Sequence, residues 1–126
     1  MNVVSPNLKA HEFQLRCNIE IAERVRRGLD NGSIALNATQ DQVSSVLIMS
    51  TRTLNRRLHS EGTSLKTIIT QTRLEKSRAL LATTTLSVEV IAKMLGLSGG
   101  RTLAQIFIRK TGESPSQYRN SFSSQF

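Results

Sequence analysis

Apolar residues recur at helical spacing along most of the chain, and only the short run SVLIM resembles a strand. Near the N-terminus, one apolar residue follows another every four positions: Phe13, Cys17, Ile21, Val25 and Leu29. This spacing predicts a helix over about 12–29, which the turn-forming residues 30–33 end. A second apolar strip on the same segment favours a helix that packs against two partners.

Further amphipathic runs predict six more helices, so the expected fold class is all-α. Ser and Thr at N-cap positions and glycine after the last turn set their boundaries. The predicted helices begin at Thr39 and at Pro115 and cover about 51–60, 65–82, 88–95 and 99–111.

The longest predicted helix has apolar residues on two faces. The first face is expected to hold Leu65, Ile68, Ile69, Thr72, Ala79 and Leu80, and the opposite face Leu74 and Leu81. Such a helix can pack against two bodies at once, and at ~1.5 Å per residue it spans roughly 27 Å.

Two segments form an internal repeat: TQDQVSSVLIMSTRTLNRRLHSEG and LSVEVIAKMLGLSGGRTLAQIFIRKTG. Each has a capped short helix, a turn, and a second helix with polar and basic residues early and a glycine after it. Both contain Arg-Thr-Leu, at 52–54 and at 101–103. The pattern predicts two helix-turn-helix units, in which the first helix presents the N-terminal end of the second to a major groove.

The charge of the chain favours a polyanionic partner. The formal net charge is +8, and residues 31–126 hold twelve basic and five acidic residues. The second helices of the two units are separated by a stiff helix. They are therefore expected to reach two successive major grooves of one duplex, and such grooves are roughly 34 Å apart. A plain helical bundle with a solvated basic surface is the alternative.

The residue pattern indicates no catalysis, metal or cofactor. His11 and His59 lack acidic or cysteine partners at metal-ligand spacing, and no phosphate-binding or dinucleotide fingerprint is present. Cys17 is the only cysteine and lies on an apolar strip, which fits a core residue in a reducing cytoplasm. No signal-like or membrane-spanning apolar run occurs, so a cytoplasmic protein without a membrane partner is expected.

The stretch from about residue 39 to 119 resembles the DNA-binding domain of AraC/XylS-type transcriptional regulators. The resemblance is carried by LSVEVIAKMLGLS, by the helix up to Phe107, by TGESPSQYR and by the linker RLEKSRALL. It implies two helix-turn-helix subdomains joined by one long helix, bacterial origin, and binding to double-stranded DNA at promoters, most often for activation. The expected domains are an N-terminal helix or connector at 1–38, the first unit at 39–63, the linker helix at 64–83, and the second unit with a C-terminal helix at 84–126.

The resemblance also implies which side chains contact bases. They lie early in the two second helices, the recognition helices: Thr51, Arg52, Asn55 and Arg56 in the first, and Arg101, Thr102 and Gln105 in the second. Arg suits guanine, and Asn or Gln suits adenine. Gly100 and Ala104 fall at family contact positions but offer little or no side chain.

Phosphate contacts are expected from basic side chains and from helix N-termini. The residues expected to make them are Thr39, Ser50, Arg57, Lys66, Arg73, Ser87, Arg109 and Lys110. As a set they predict binding that weakens steeply with salt.

Some positions depart from the family pattern. Ile48 stands in the turn of the first unit where the family often has glycine, and Ile108 stands where a basic residue is common. The pair Gly99-Gly100 is expected to weaken the start of the second recognition helix, since each glycine costs up to about 1 kcal/mol relative to alanine.

Residues 1–38 fit the resemblance only loosely. The helix over 12–29 is expected to connect to a sensing or dimerising domain, or to pack as an extra first helix, and a homodimer through this region or through a missing domain is open. Its apolar surface favours a fragment of a longer regulator over a small stand-alone one. RNA polymerase is the expected protein partner. The alternative function is a basic helical adaptor, for example on RNA polymerase, that does not read DNA sequence.

Overall fold

Residues 21–123 are described by a computed structural model of the protein. Within this range the chain forms seven helices and no strand, which confirms the all-α fold class. The helices are α1 (Ile21–Asn31), α2 (Gln40–Val46), α3 (Thr51–Ser60), α4 (Leu65–Thr83), α5 (Val88–Met94), α6 (Gly100–Thr111) and α7 (Pro115–Ser123). The last six lie where the sequence pattern predicts them, with ends that differ by about one residue.

The described part of the helix predicted over 12–29 is α1, Ile21–Asn31. The part predicted over 12–20 lies outside the described residues. The carboxylate of Glu61 accepts hydrogen bonds from the backbone N–H groups of Ile21 and Ala22, both at 3.1 Å. A carboxylate at this position satisfies the first N–H groups of a helix and complements its dipole. Because Glu61 is remote in sequence, these two hydrogen bonds could not be predicted from local signals.

The chain divides into two compact units after Ile68, inside α4. In the described part of unit 1, α1 and α2 both contact α3. The buried apolar side chains of unit 1 are Ile21, Ala22, Val25, Leu29, Ile34, Val43, Leu47, Leu54, Leu58, Leu65 and Ile68. Fully burying a side chain such as Leu54 or Leu58 contributes about 1.5–3 kcal/mol relative to exposure. The domain limits given by the sequence stay predictions.

The apolar strip of α1 is used inside unit 1. Ile21 and Val25 are fully buried and Leu29 is nearly so. In the described part of this helix, no large apolar side chain is exposed. The expectation of spare apolar surface over 12–29 stays a prediction. Val46 of the short helix α2 is 47% exposed, since Val43 and Leu47 occupy the inner face of this helix.

In unit 2, α4 buries part of both predicted faces: Ile69 and Thr72 of the first face and Leu74 and Leu81 of the opposite face. Ala79 is exposed and Leu80 half-buried, whereas Leu74, Ser77 and Leu81 are buried. These three residues follow the i, i+3, i+7 spacing of one helix face. The hydroxyl of Ser77 donates to the carbonyl oxygen of Leu74 at 2.9 Å, so this polar side chain is buried without an unsatisfied donor.

The rest of unit 2 is built around Leu103 and Phe107 of α6, which are fully buried, with Ile91 and Ala92 of α5. The ring of Phe107 meets that of Tyr118 edge to face, with centroids 5.4 Å apart. Two bonds then attach α7 to the end of α4. Nε of Arg119 donates to the Leu81 carbonyl at 3.2 Å, and its Nη2 donates to the Thr84 carbonyl at 3.3 Å.

Candidate nucleic-acid interface

The first recognition helix, α3, separates its apolar and basic faces cleanly. Ser50 is the N-cap, and its hydroxyl oxygen accepts from the Thr53 N–H at 3.1 Å. Leu54 and Leu58 are fully buried beneath the helix. Arg52 and Arg56 lie on the other side and are exposed. The helix is therefore held by its apolar residues while two guanidinium groups face outward.

The N-terminal end of α3 is bonded to the start of α2. Thr51, the first helical residue, donates its hydroxyl to Oδ1 of Asp41 at 2.8 Å and lies 3.3 Å from the hydroxyl of Ser44. Thr51 is half-buried. Its hydroxyl thus has partners inside the unit, and the expected base contact by Thr51 stays a prediction.

A second polar contact joins the same two helices. Nδ2 of Asn55 donates to Oε1 of Gln40 at 3.0 Å, although both side chains are exposed. Asn55 lies one turn after Thr51 on the edge of α3 that faces α2. The resemblance predicted a role for Asn55 but none for Gln40, because their hydrogen bond depends on how α2 crosses α3.

The two helix-turn-helix units share the same turn geometry. Ile48 has φ +57° and Gly96 has φ +79°, both in the left-handed region. In each turn the next residue bonds back five positions: the Met49 N–H donates to the Ser44 carbonyl at 3.0 Å, and the Leu97 N–H to the Ala92 carbonyl at 2.9 Å. This is the Schellman pattern of helix ends. Ile48 adopts the conformation that glycine has in the second unit, and its side chain is 91% exposed.

The second recognition helix, α6, is capped from another helix. Its N-cap residue Gly99 has no side chain to accept a hydrogen bond. Oε1 of Glu89 on α5 accepts from the Gly100 N–H at 2.8 Å instead. This bond, and then the contact with Lys93, lowers the pKa of the Glu89 carboxyl below its ordinary value. The expected weak start of α6 is thus offset by a carboxylate supplied across the turn.

Glycine at 99 and 100 permits this close approach. A Cβ on Gly99 would lie 3.1 Å from Oε2 of Glu89, and one on Gly100 would lie 3.3 Å from the backbone nitrogen of Glu89. A Cβ at position 99 would therefore press on the Glu89 carboxylate, and one at position 100 on the backbone at the start of α5. The glycine pair thus has a packing role that the sequence alone did not indicate.

The outer face of α6 presents Arg101 and Gln105, which are exposed. Thr102 is half-buried and its hydroxyl lies 2.8 Å from that of Ser98. Ile108 is 52% exposed on the same helix. Across residues 21–123, no hydrogen bond or ion pair engages the side chains of Arg52, Arg56, Arg101 or Gln105. Of the seven expected base-contacting residues, four have side chains without a partner among residues 21–123, and three are bonded within their own unit.

The residues expected to contact phosphate are of two kinds. Thr39, Ser50 and Ser87 are N-caps whose hydroxyl oxygens accept from their own helices. Lys66, Arg109 and Lys110 are exposed, and Arg57 is half-buried. All eight phosphate contacts stay predictions.

Arg73 has a structural bond that the sequence did not predict. Its Nε donates to the Leu95 carbonyl at the end of α5, at 2.8 Å. The side chain is half-buried, and desolvation lowers the pKa of the Arg73 guanidinium. Arg73 thus ties α4 to the first helix of the second helix-turn-helix unit.

The described residues form neither a metal-binding cluster nor a membrane-spanning helix. In the part of the chain that the structure describes, no group of three or more His, Cys, Asp or Glu residues is placed to hold a metal ion. Nor does any helix in that part have the length and hydropathy to span a membrane.

Comparison with known proteins places this arrangement in a family. Residues 43–121 match the model of a family described as a helix-turn-helix domain. The HTH-type transcriptional regulator VqsM of Pseudomonas aeruginosa is 36% identical over 93 residues, which are 69% of this chain and 29% of that protein. The HTH-type transcriptional activator CsvR of Escherichia coli is 27% identical over 120 residues, 86% of this chain and 45% of that protein. This chain therefore spans less than half of either relative.

A solved structure has the same fold and contains DNA. The crystal structure of the DNA-binding domain of AdpA, a global transcriptional factor, in complex with a target DNA superimposes with a TM-score of 0.72. The identity is 26%, and the match covers 85% of this chain and 96% of that chain. Since the family model covers more than half of the sequence and both helix-turn-helix units are in place, the chain belongs to the AraC-type family of helix-turn-helix transcriptional regulators.

Proposed function

We propose that this chain is the sequence-specific, double-stranded DNA-binding part of a bacterial transcription regulator. One observation carries the proposal: both units present exposed donor side chains on a second helix whose N-terminal end is bonded to the first helix. The bonds are Thr51 to Asp41 and Gly100 to Glu89. A helix held in this way can enter a major groove about 12 Å wide without losing its orientation.

The chemistry of the exposed side chains suits base reading. Arg52, Arg56 and Arg101 have the fork of donors that bonds O6 and N7 of guanine. Asn55 and Gln105 have the donor–acceptor pair that bonds adenine. Around them the net positive charge, expected to act through residues such as Lys66 and Lys110, supplies the part of the affinity that is independent of sequence.

The two units are proposed to read successive major grooves of one site. The support is that α4 continues without interruption through 19 residues from unit 1 into unit 2. Successive major grooves lie roughly 34 Å apart. The expected site is about two helical turns of DNA long.

Selection of preferred sites from random duplex DNA by the purified chain tests the proposal. One enriched motif about two turns long is the expected result. Arg52→Ala and Arg101→Ala are expected to weaken discrimination between sites more than non-specific binding, each at its own half of the motif. Arg78→Ala, an exposed arginine on α4, is the matched control and should leave base preference unchanged. Binding without any base preference would instead indicate a basic helical adaptor.

The proposal includes a location in the cytoplasm, on the nucleoid, where the DNA of a bacterium lies. It also includes promoter activation through a contact with RNA polymerase. Its support is an apolar pair on the exposed side of α5: Val90 and Met94, one turn apart, are 43% and 56% exposed. Val90→Ser/Met94→Ser should reduce activation of a reporter promoter while leaving its binding by the chain unchanged. A homodimer is a separate part of the proposal, and sedimentation of the purified chain tests it. The described part of α1 has no exposed apolar strip that could form the dimer interface.

A further inference from the structure

An amide pair joins the first helix of unit 1 to its recognition helix. Gln40 is the first residue of α2, and its Oε1 accepts from Nδ2 of Asn55 at 3.0 Å. The next residue of α2, Asp41, accepts from Thr51 one turn before Asn55. Two consecutive side chains of α2 thus hold two side chains along one edge of α3.

The hydrogen bond from Gln40 leaves Asn55 with a defined set of groups. An asparagine amide has two N–H donors and an oxygen with two lone pairs. Gln40 takes one donor, so one N–H and the oxygen Oδ1 stay available on the exposed side. Oδ1 and the N–H on the same side of the amide are the two groups that bond N6 and N7 of adenine together, and the N–H on the far side is the one that Gln40 would take. Fixing the rotation of the amide also removes rotamer freedom that binding would otherwise have to remove.

We propose that Gln40 is a specificity-determining positioning residue: it holds the Asn55 amide in the orientation that reads adenine in the first half-site. This inference rests on the proposed DNA-binding function and adds to it a residue outside the recognition helices. Gln40 is expected to act through Asn55, without a base contact of its own.

The second unit lacks the equivalent pair. The first residue of α5 is Val88, and the fifth residue of α6, which corresponds to Asn55, is Ala104. Neither side chain can donate or accept a hydrogen bond, and alanine at such a position suits contact with a thymine methyl group. The dependence on an amide from the first helix is therefore expected in the first half-site and not in the second.

The test measures binding of the full chain to its selected duplex and to duplexes changed at single base pairs. Asn55→Ala identifies the pair that Asn55 reads. Gln40→Ala is expected to reduce the preference at that same pair by roughly two- to tenfold. Gln71→Ala, an exposed glutamine on α4, is the matched control and should change nothing. Gln40→Glu keeps an acceptor for Nδ2, so it should keep the base preference while its negative charge weakens binding to every duplex.

A double variant shows whether the two residues act as one. If Gln40 works through Asn55, Gln40→Ala/Asn55→Ala should discriminate no worse than Asn55→Ala alone. Without DNA, Gln40→Ala should also shift the side-chain amide resonances of Asn55 in NMR spectra. A preference unchanged in Gln40→Ala, or additive losses in the double variant, would overturn the inference. If Asn55→Ala and Gln105→Ala also left every preference unchanged, the proposed function itself would be wrong.

Discussion

Oε1 of Glu89 lies 2.8 Å from the backbone nitrogen of Gly100 and accepts its hydrogen bond. Glu89 is the second residue of α5, and Gly100 is the first residue of α6. In unit 1, Asp41 is the second residue of α2 and accepts from Thr51, the first residue of α3. Both helix-turn-helix units thus use an acid at the same place to hold the start of the recognition helix. The donors differ, a backbone N–H in one and a hydroxyl in the other.

Removing this carboxylate should loosen the second recognition helix. Glu89→Ala leaves the Gly100 N–H without its acceptor, and Gly99 cannot replace it. We expect the melting temperature to fall by a few degrees, as when an N-cap is lost. Discrimination at the second half of the DNA site should fall with it. Circular dichroism melting and binding to single-base-changed duplexes measure the two effects.

The matched control is Glu75→Ala, an exposed glutamate on α4. It should leave the melting temperature almost unchanged. An equal fall in both variants would mean that the bond to Gly100 does not hold the helix.

The same bond predicts a pH dependence of stability. The Gly100 N–H, and then Lys93, lower the pKa of Glu89 below its ordinary value of 4.5. A carboxyl with a lower pKa in the folded than in the unfolded chain stabilises the fold above the unfolded pKa. This contribution is lost as the pH falls through the folded pKa. The difference in melting temperature between the protein and Glu89→Gln should therefore be constant above about pH 5.5 and shrink below about pH 4.5.

Ile48 is predicted to cost the protein stability. A left-handed conformation costs an L-residue roughly 1–2 kcal/mol, and glycine avoids that cost while losing about 0.5–1 kcal/mol of chain entropy. Since the side chain is 91% exposed, little packing is lost on its removal. Ile48→Gly should raise the free energy of unfolding by about 0.5–1 kcal/mol in urea denaturation.

Ile108→Gly is the control for Ile48→Gly, and it should change the free energy of unfolding in the opposite direction. Ile108 is also exposed but lies inside α6, so the same substitution should lower the free energy of unfolding by roughly 0.5–1 kcal/mol. Destabilisation by both substitutions would show that the turn at Ile48 is not strained.

Substitutions of Arg73 and Lys66 should distinguish a basic side chain that stabilises the fold from one that binds a DNA phosphate. Arg73→Ala and Arg73→Lys both remove the Nε bond to Leu95, so both should lower the free energy of unfolding by roughly 1–2 kcal/mol. Lys66→Ala should leave stability within about 0.5 kcal/mol. If Lys66 contacts a phosphate, its removal should also reduce the slope of log affinity against log salt by about 0.9.

Urea denaturation and binding at several salt concentrations check these outcomes. Arg73→Lys keeps the positive charge, so a loss of stability with an unchanged salt slope would identify the bond to Leu95 as the main role of Arg73. If Arg73→Ala instead left stability unchanged and reduced the slope of log affinity against log salt, the main role of Arg73 would be a phosphate contact.

Local patterns predicted the helices well because the signals that start and end helices act within a few residues. The predicted N-caps Thr39, Ser50 and Ser87 are in place, and Thr39 also forms a capping box with Gln42. Position 48 has the left-handed backbone that the resemblance to glycine-containing turns implies, although isoleucine occupies it. The inner face of α4 was predicted less well, since Ser77 is buried and Ala79 is not. Hydrophobicity alone does not predict the burial of a serine whose hydroxyl donates a hydrogen bond to a carbonyl of its own helix.

The sequence by itself determined the order and length of the helices after residue 38, the two repeated units and the positions of their basic side chains. These features depend on periodicity and on neighbouring residues. Only the tertiary structure decided which polar side chains are bonded within a unit and which are available to DNA. Glu61 with α1, Gln40 with Asn55, Glu89 with Gly100 and Arg73 with Leu95 are pairs separated by 11 to 40 residues. Such pairs form because helices cross at particular points, and a crossing point is set by how the buried faces of different helices pack, which no local pattern records.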